Sequence, residues 1–369
     1  MAYSPEYLAR RRRAVARRRR AIAASLAALL LVGAGATVYL LNRPHHIIVL
    51  SVTARVHNTP NKAAATPHEY PAAPGAPSLK SVESALASTH HEHASTPTTN
   101  PSSGSSGASG GVLSSDAESS FQQLAGSLPG HVELAVQPLG TGPSEVLGGD
   151  EAAHGWSTTK VPVLVSLLRA RGSAGLTSQE QSWAQSAITE SNNESVLSLF
   201  GDLERLKGGL GGASAYMESV LRDAGDSETS VATAPPPAGA VTTFGQTEWS
   251  PGEAVKFFRA LANGCLLPPS QTSYVLGLMQ NIEASESWGL GSAGFSSVAF
   301  KGGWGPEGGG YLVRQSGVIN PGSTSGAAVA IVTQAPDFGA GTETLTRVAS
   351  WLNHHLHLSA RPSSGCSAE

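Results

Sequence analysis

A serine and a lysine three positions apart are the residues of this chain best suited to covalent chemistry. Ser157 and Lys160 lie in the segment Gly-Trp-Ser-Thr-Thr-Lys at residues 155–160, directly before an apolar run. Positions i and i+3 share one face of a helix, so the lysine amine would lie beside the serine hydroxyl. Serine is a weak nucleophile that needs an adjacent base, and a lysine among apolar neighbours loses its proton more easily and can act as that base. The spacing therefore fits a nucleophile and its base, although ordinary solvent-facing pairs share it.

Two further polar segments follow at points where predicted elements begin or end. Ser-Asn-Asn at residues 191–193 lies between an amphipathic stretch and an apolar helix, and Lys-Gly-Gly at residues 301–303 follows the strand-like Ser-Val-Ala-Phe. Taken singly, the first fits a turn between helices and the second a hairpin loop, because Ser, Asn and Gly are common cap and turn residues.

The three segments together resemble the signature of the penicillin-recognising serine enzymes, which is S-x-x-K, S-D-N and K-T-G in that order. The likeness is to class A β-lactamases and related actinobacterial serine hydrolases, over about residues 112–358. Asn192 stands in place of aspartate and Gly302 in place of threonine. The resemblance implies a fold of helices and strands (α/β in the broad sense, α+β in arrangement). An antiparallel sheet is flanked by helices, and an all-helical subdomain lies beside it. That subdomain is expected to be reduced, since the 34 residues from Ser157 to Ser191 are fewer than the family usually has.

The resemblance also implies a role for each site residue. Ser157 attacks a carbonyl carbon to form an acyl-enzyme, Lys160 accepts or relays its proton, and Ser191 carries a proton to the leaving nitrogen. Asn193 hydrogen-bonds the substrate amide, and Lys301 provides positive potential for a substrate carboxylate. No cofactor and no metal is implied.

The oxyanion hole is expected from two backbone N–H groups, those of Ser157 and Trp304. Gly302 and Gly303 also make chemical sense by themselves, because a strand edge that approaches a substrate backbone closely favours residues without side chains. The missing threonine at position 302 removes a hydroxyl that often touches the substrate carboxylate in the family.

The chain departs from the family at the residue that releases the acyl group. The segment at residues 221–226, Leu-Arg-Asp-Ala-Gly-Asp, resembles the one leading into the loop with the deacylating glutamate. Counting onward places that position at or near Pro235, and no carboxylate occurs between Glu228 and Glu248. Glu228 is the nearest candidate and lies too early by this count. Without a general base, attack of water on the acyl-enzyme is expected to be slow.

The N-terminal region predicts a membrane anchor. Eight arginines lie within residues 10–20, immediately before 21 uncharged and mostly apolar residues at 21–41. That length spans a bilayer core, and the positive-inside rule makes residues 1–20 a cytoplasmic basic tail. A nucleic-acid or nuclear-localisation patch is the alternative for the arginines, and a signal peptide cleaved near residues 34–36 is the alternative to an anchor. The predicted location is the cell membrane, single-pass, with the catalytic domain on the extracellular or periplasmic side.

A linker is expected between the anchor and the hydrolase domain, which is predicted at residues 112–360. Residues 42–111 are rich in Ser, Thr, Ala, Pro and His, and cannot bury enough apolar area to offset chain entropy, so a flexible, disordered stalk is expected. His-His-Glu-His at residues 90–93 could hold a metal, but histidines in such linkers usually hold none. Residues 361–369 are expected to be a tail. Cys265 and Cys366 permit a disulfide outside the cytoplasm, yet the place of Cys366 in that tail favours two separate thiols.

Hydrophobic periodicity predicts strands near both ends of the domain and helices between them. The expected helices include Ala117–Ala125, one opening at residues 250–253 and running to residue 262, and a closing helix at 345–356; the expected strands are 131–136, 298–300, 311–314 and 327–332.

The charge balance bears on the partner. After residue 20 the chain has 16 basic and 26 acidic residues, and an acidic exterior argues against nucleic acid. We expect a monomer that acts on a β-lactam or a peptidoglycan-like small molecule through an acyl-enzyme at Ser157, with slow deacylation. The alternatives are a D-alanyl-D-alanine peptidase or other penicillin-binding protein, and a non-catalytic cell-wall binder or sensor that keeps the pocket.

Overall fold

The computed structural model describes residues 111–237 and 240–360, together with Pro362 and Cys366. The predicted basic tail (1–20), anchor (21–41), histidine segment (90–93) and all but the last residue of the linker (42–111) lie outside the described residues, as does most of the predicted tail (361–369). In the described part of the chain no helix is both long and apolar enough to span a membrane.

A five-stranded antiparallel sheet lies at the centre of the domain, with the strand order β2-β1-β7-β6-β5. Its strands are β1 (His131–Pro138), β2 (Glu145–Leu147), β5 (Val298–Glu307), β6 (Gly310–Ile319) and β7 (Ala327–Ala335). Two short strands, β3 (Ala153–His154) and β4 (Glu248–Trp249), pair separately. The prediction of an antiparallel sheet is confirmed.

Helices cover both faces of the sheet and form a helical subdomain beside it. They are α1 (Ala117–Ala125), α2 (Lys160–Arg171), α3 (Ser178–Thr189), α4 (Asn193–Lys207), α5 (Leu210–Asp223), α6 (Pro251–Ala262), α7 (Pro269–Gln280) and α8 (Phe338–His355). α6 packs across β1, β6 and β7, and α8 packs on β6 and β7 from the other face.

Successive residues of the central strands belong to two different cores. On β7, Val329 and Ile331 join the core beneath α8, whereas Ala328 and Ala330 join the core shared with α6 and the helical subdomain. The small alanine side chains let α6 lie close to the sheet. Because both faces are covered, β1 is buried along nearly its whole length. Its alternating sequence predicts a half-buried strand, and that prediction is wrong.

The helical subdomain is built around α2. Every residue of this helix from Lys160 to Leu168 is buried, and it contacts the helices α3, α4, α5 and α7. A helix surrounded in this way needs no polar face. Its neighbours have well-defined ends: Thr177 and Glu180 form a reciprocal capping box at the start of α3, and Gly208, at φ 81°, ends α4 in the left-handed region.

Two elements differ from the sequence prediction in length. β5 continues through the two glycines to Glu307, so residues 301–303 lie inside a strand and not in a hairpin loop. The closing helix begins at Phe338 and not near residue 345. Glycine at position 341 weakens the helical pattern, but a Cβ there would lie 2.4 Å from Cγ2 of Val313, so glycine allows the first turns of α8 to contact β6.

Cys265, just after α6, forms a disulfide with Cys366. Our expectation of two separate thiols is therefore wrong. The bond closes a loop with a sequence separation of 101 residues. A cross-link of that span restricts the unfolded chain and stabilises the fold by on the order of 5 kcal/mol in the chain-entropy model.

Candidate active site

Ser157 lies on a 3₁₀ turn, Trp156–Thr159, that leads from β3 into α2. The regular helix begins at Lys160, one turn later than the spacing predicts. Two hydroxyl groups hold the turn: Thr158 Oγ1 donates to the carbonyl oxygen of Gly155 at 2.5 Å, and Thr159 Oγ1 donates to that of Trp156 at 2.6 Å. The serine is thus presented by a hydrogen-bonded turn at the edge of the helical subdomain.

Trp156, immediately before the serine, has a φ of 45°, which is unusual for a bulky residue. Such a backbone costs about 1–3 kcal/mol and persists only where neighbouring groups fix it. The Trp156 indole N–H donates to Glu307 Oε2 at 3.3 Å, and the indole lies where a Cβ on Gly305 would be, 2.1 Å from Trp156 Cζ2. The end of β5 therefore holds Trp156, and through it the orientation of Ser157.

Arg314 is a second anchor for the serine turn that the sequence analysis did not identify. It is fully buried on β6, and its Nη1 donates to the carbonyl oxygens of Ala153, His154 and Trp249 at 2.9–3.3 Å. These carbonyls belong to the β3–β4 pair just before the turn. No motif marks this arginine, because its role depends on the sheet register that brings β6 beside β3.

Ser191 lies between the two lysines predicted for the site. Lys160 Nζ donates to the backbone oxygen of Ser191 and, at 3.3 Å, to its Oγ. Lys301 Nζ donates to the same Oγ at 2.9 Å and to the carbonyl oxygen of Gly302 at 3.0 Å. Ser191 has a left-handed backbone, with φ 56°. One hydroxyl therefore connects both amines.

Asn192 explains why Ser-Asn-Asn can replace Ser-Asp-Asn. Its side chain accepts a hydrogen bond from the backbone N–H of Ser195 at 2.9 Å and caps α4. Asparagine and aspartate are equally good at this position. With Asn192 used as the cap, Asn193 lies at the start of the helix and lines the cleft beside Ser157.

The two lysines have different charges near neutral pH. Burial, with a further contribution from the charge of Lys301, lowers the pKa of Lys160 to about 6. Burial also lowers the pKa of Lys301, to about 8, while the negative charge of Glu286 acts in the opposite direction. Near pH 7 the Lys160 amine is largely neutral and able to accept a proton, and Lys301 is largely charged.

Lys301, Gly303 and Gly305 share one face of β5, as the strand period of two requires. A Cβ on Gly303 would lie 2.7 Å from the backbone nitrogen of Ser157 and 2.9 Å from that of Thr158. A side chain at position 303 would therefore fill the space in front of the Ser157 N–H, which supports the prediction of an oxyanion hole there.

Trp304 points its side chain to the other face of β5. Its ring lies 5.0 Å from the ring of Phe338 and 6.1 Å from that of Trp288, between centroids. Trp304 also lines the cleft. We therefore expect its contribution to the site to come from the backbone and not from the indole.

The cleft in front of Ser157 has a volume of about 290 Å³. It is lined by Trp156, Ser157, Glu190, Ser191, Asn193, Val241, Thr242, Glu286, Trp304, Gly305, Pro306 and Tyr311. The structure brings together all seven residues predicted for the site: four line the cleft, Lys160 and Lys301 lie behind it on Ser191, and Gly303 abuts the serine turn. Their individual roles stay predictions.

The acidic residues near the cleft differ from those the sequence analysis considered. Pro235 and Glu228 are exposed and do not line the cleft, and Glu228 donates its backbone N–H to Asp226. Among the described residues the acidic side chains that line it are Glu190 and Glu286. Glu190 directly precedes Ser191, so a search of motif neighbours could have found it. Glu286 ends the 3₁₀ turn Ala284–Glu286, and no sequence motif marks this turn.

Comparison with protein-family models finds no match, and comparison with curated proteins finds no relative. Solved structures do match. The class A β-lactamase from Mycobacterium abscessus has a TM-score of 0.53 and 18% identity, covering 64% of this chain and 98% of that chain. A β-lactamase from Chitinophaga pinensis has a TM-score of 0.53 and 17% identity, covering 64% and 98%. A variant of PBP-A, solved as an acyl-enzyme complex with penicillin G, has a TM-score of 0.52 and 20% identity, covering 65% and 96%.

Nearly the whole length of each of these proteins is matched, at identities that establish the fold and nothing finer. The prediction from the three sequence segments is confirmed at this level: the chain has the fold of the class A β-lactamases and of PBP-A.

Proposed function

We propose that this protein is a serine hydrolase of the β-lactamase-like kind, in which Ser157 forms an acyl-enzyme with a β-lactam or a related amide. One observation carries the proposal: a buried lysine with a lowered pKa, Lys160, shares the hydroxyl of Ser191 with Lys301 behind the cleft that Ser157 lines. A base, a proton carrier and a nucleophile are thus assembled at one cleft, as acyl transfer requires.

In the proposed acylation, Ser157 Oγ attacks the carbonyl carbon and its proton passes to the neutral Lys160 amine. The oxyanion is stabilised by the backbone N–H groups of Ser157 and Trp304. The C–N bond then breaks as Ser191 Oγ gives its proton to the leaving nitrogen and regains one from Lys160. The charged Lys301 stabilises the negative charge that develops along this path.

Deacylation is proposed to be slow. The position expected for the deacylating glutamate falls at or near Pro235, and neither Pro235 nor Glu228 lines the cleft. Attack by water then lacks a general base at the position that the resemblance assigns to it, and we expect it to be slow for that reason. A variant of the similarly folded PBP-A has been solved as an acyl-enzyme complex with penicillin G.

The test is incubation with a fluorescent penicillin, followed by intact-mass analysis. Wild type should gain one acyl group, and Ser157→Ala should gain none. Ser173→Ala, which alters an exposed serine after α2, should label like wild type. Loss of the penicillin is followed in parallel, because a fast enzyme would consume it without accumulating an adduct. No Ser157-dependent adduct and no substrate loss across several β-lactams would reject an acylating enzyme.

The fate of the acyl group separates the alternatives. A long-lived adduct favours a penicillin-binding peptidase or a sensor. Turnover faster than about once per second, the low end of typical enzyme rates, means a β-lactamase with an unrecognised base. Absence of any adduct, together with measurable muropeptide binding, favours a non-catalytic cell-wall binder.

We further propose that residues 21–41 anchor the protein in the cell membrane, with the hydrolase domain outside the cytoplasm. The arginine-rich residues 10–20 support this orientation. The Cys265–Cys366 disulfide also supports it, because disulfides persist mainly outside the cytoplasm. Protease added to intact spheroplasts should remove the domain, whereas full protection of residues 112 onward would reverse the proposed orientation.

A further inference from the structure

The loop that the resemblance assigns to deacylation contributes one polar side chain to the described lining of the cleft. This loop, residues 226–250, runs from the end of α5 to the start of α6. Its described residues that line the cleft are Val241 and Thr242. Val241 is apolar and 53% exposed. Among these described residues the hydroxyl of Thr242 is therefore the side-chain group that can form a hydrogen bond on this wall.

The hydroxyl of Thr242 is largely buried but has no partner in the described part of the chain. Thr242 is 8% exposed. No hydrogen bond of the described residues uses its hydroxyl, and its oxygen is not one of their unpartnered side-chain atoms that are closed to solvent. A hydroxyl has one donor and two acceptor positions, and a largely buried one without a protein partner is normally satisfied by ordered water. Thr242 is thus suited to bind a water molecule at the wall of the cleft.

The loop holds Thr242 against the serine turn. The backbone N–H of Gly155 donates to the carbonyl oxygen of Thr247 at 2.7 Å, which joins the loop to the segment just before the nucleophile. A Cβ on Gly245 would lie 2.4 Å from Thr242 Oγ1 and 3.5 Å from the carbonyl oxygen of Trp156. The threonine hydroxyl and the residue before the nucleophile therefore lie close to the same glycine. A water molecule on this hydroxyl would be next to the serine turn.

We propose that Thr242 is a positioning residue for hydrolysis of the acyl-enzyme, and that its hydroxyl binds the water molecule that attacks acyl-Ser157. This role rests on the proposed acylation of Ser157 and adds a residue to the second half of that reaction. The hydroxyl orients the water but does not act as a base, so hydrolysis remains slow.

The proposed step reverses the proton path of acylation, with water in place of the leaving nitrogen. The water oxygen bonds to the acyl carbon, and one of its protons goes to Ser191 Oγ while the Ser191 proton goes to the neutral Lys160 amine. The bond from the acyl carbon to Ser157 Oγ then breaks, and Ser157 Oγ takes a proton from Lys160. The product is a carboxylic acid that contains the water oxygen and its other proton. Thr242 keeps its own proton throughout.

The test compares the decay of the acyl-enzyme in wild type, Thr242→Val and Thr242→Ser. Each protein is acylated with the fluorescent penicillin, freed of excess reagent and followed by intact mass. Valine keeps the shape of threonine without the hydroxyl, so the Thr242→Val adduct should last at least about fivefold longer, within the range that one hydrogen bond provides. Thr242→Ser restores the hydroxyl and should decay like wild type. If penicillin is consumed without an accumulating adduct, kcat for its hydrolysis is compared in the same proteins.

Thr243→Val is the matched control. Thr243 is the next residue, its side chain forms no cap hydrogen bond, and it does not line the cleft. Its variant should therefore decay like wild type. Hydroxylamine provides a second measurement, because this strong nucleophile does not need a hydrogen bond to orient it. It should release the acyl group at the same rate in all four proteins, which shows that the acyl group has not moved.

The outcomes separate this role from the function beneath it. A smaller effect of Thr242→Val, an equal effect of Thr242→Ser or Thr243→Val, a parallel loss with hydroxylamine, or a wild-type adduct that does not decay overturns the role of Thr242 and leaves the acylation of Ser157 standing. No adduct on Ser157, together with no consumption of penicillin, overturns the proposed function and this role with it.

Discussion

Lys160 and Lys301 share one hydroxyl, that of Ser191, but differ in pKa because their surroundings differ. With pKa values of about 6 and about 8, they set a pH window for acylation. Lys160 acts as a base when deprotonated, so the acylation rate should rise as pH rises through about 6. Lys301 stabilises charge when protonated, so the rate should fall as pH rises above about 8.

The measurement is the pH profile of kcat/KM with a neutral ester, whose own charge does not change. In Lys301→Arg the side chain keeps its charge at high pH. The fall in rate on the alkaline side should therefore move to a higher pH, while the rise on the acid side should stay where it is. A flat profile from pH 5 to 9 in wild type would contradict the assignment of these two roles.

Gly303 is the residue at which one methyl group should have the largest effect. In Gly303→Ala the new Cβ would lie 2.7 Å from the Ser157 nitrogen, so either the serine turn moves or the oxyanion site is filled. We expect acylation to fall about 100-fold or more, as for loss of an oxyanion-hole donor. Gly302→Ala points the same methyl group to the opposite face, 3.0 Å from the ring of Trp288, and should cost less activity. Equal losses in the two variants would argue against an oxyanion hole at Ser157.

At the scale of a secondary-structure element, the N-terminal cap of α4 fixes where this helix begins beside the site. Asn192→Ala removes the hydrogen bond to the Ser195 N–H and should lower the free energy of unfolding by about 1 kcal/mol. Asn192→Asp keeps the cap and adds a negative charge at the helix N-terminus, so stability should stay equal or rise by a few tenths of a kcal/mol. Urea unfolding of the three proteins measures both changes. An Asn192→Ala variant with the same free energy of unfolding as wild type would show that the cap does not stabilise the fold.

Elements with local signals were predicted well from the sequence, and elements set by tertiary contacts were not. α1 was predicted with both its ends, because an apolar face and a terminal glycine are local features. The start of α8 was missed because Gly341 is needed for contact with Val313, which is distant in sequence. β5 was expected to stop at its glycines, but its pairing with β6 carries it on to Glu307.

The candidate site shows the same division. The spacing predicts Ser157 and Lys160, and the resemblance of the three segments to the family signature predicts Ser191 and Lys301. The fold brings these residues together. Glu286 was not predicted, because its place in the cleft depends on the path of a 3₁₀ turn between α7 and β5. At position 192 asparagine differs from the aspartate of the family signature but has the same structural role, because asparagine caps a helix as well as aspartate does.

At the scale of the whole molecule, the Cys265–Cys366 disulfide joins the end of α6 to the C-terminal segment. Cys366→Ser should lower the free energy of unfolding by on the order of 5 kcal/mol, because the unfolded chain regains the freedom of a long loop. Acylation of Ser157 should be retained, since neither cysteine lines the cleft. Denaturant unfolding with and without reductant measures the change.

Cys265→Ser should match Cys366→Ser, and a reductant should destabilise wild type but neither variant. A reductant that leaves wild-type stability unchanged would show that the bond contributes nothing to the fold.

The pairing of β1 with β7 has a consequence for how the protein is made. This pair places His131 opposite Gln334, so the centre of the sheet joins the beginning of the domain to its end. A chain that is still being synthesised lacks β7, and β1 then has no partner on that side. Contacts of such long range close slowly and only after loop entropy has been overcome. We therefore expect the domain to remain unfolded until its last strand has left the ribosome, and to cross a membrane more readily in that state than after folding.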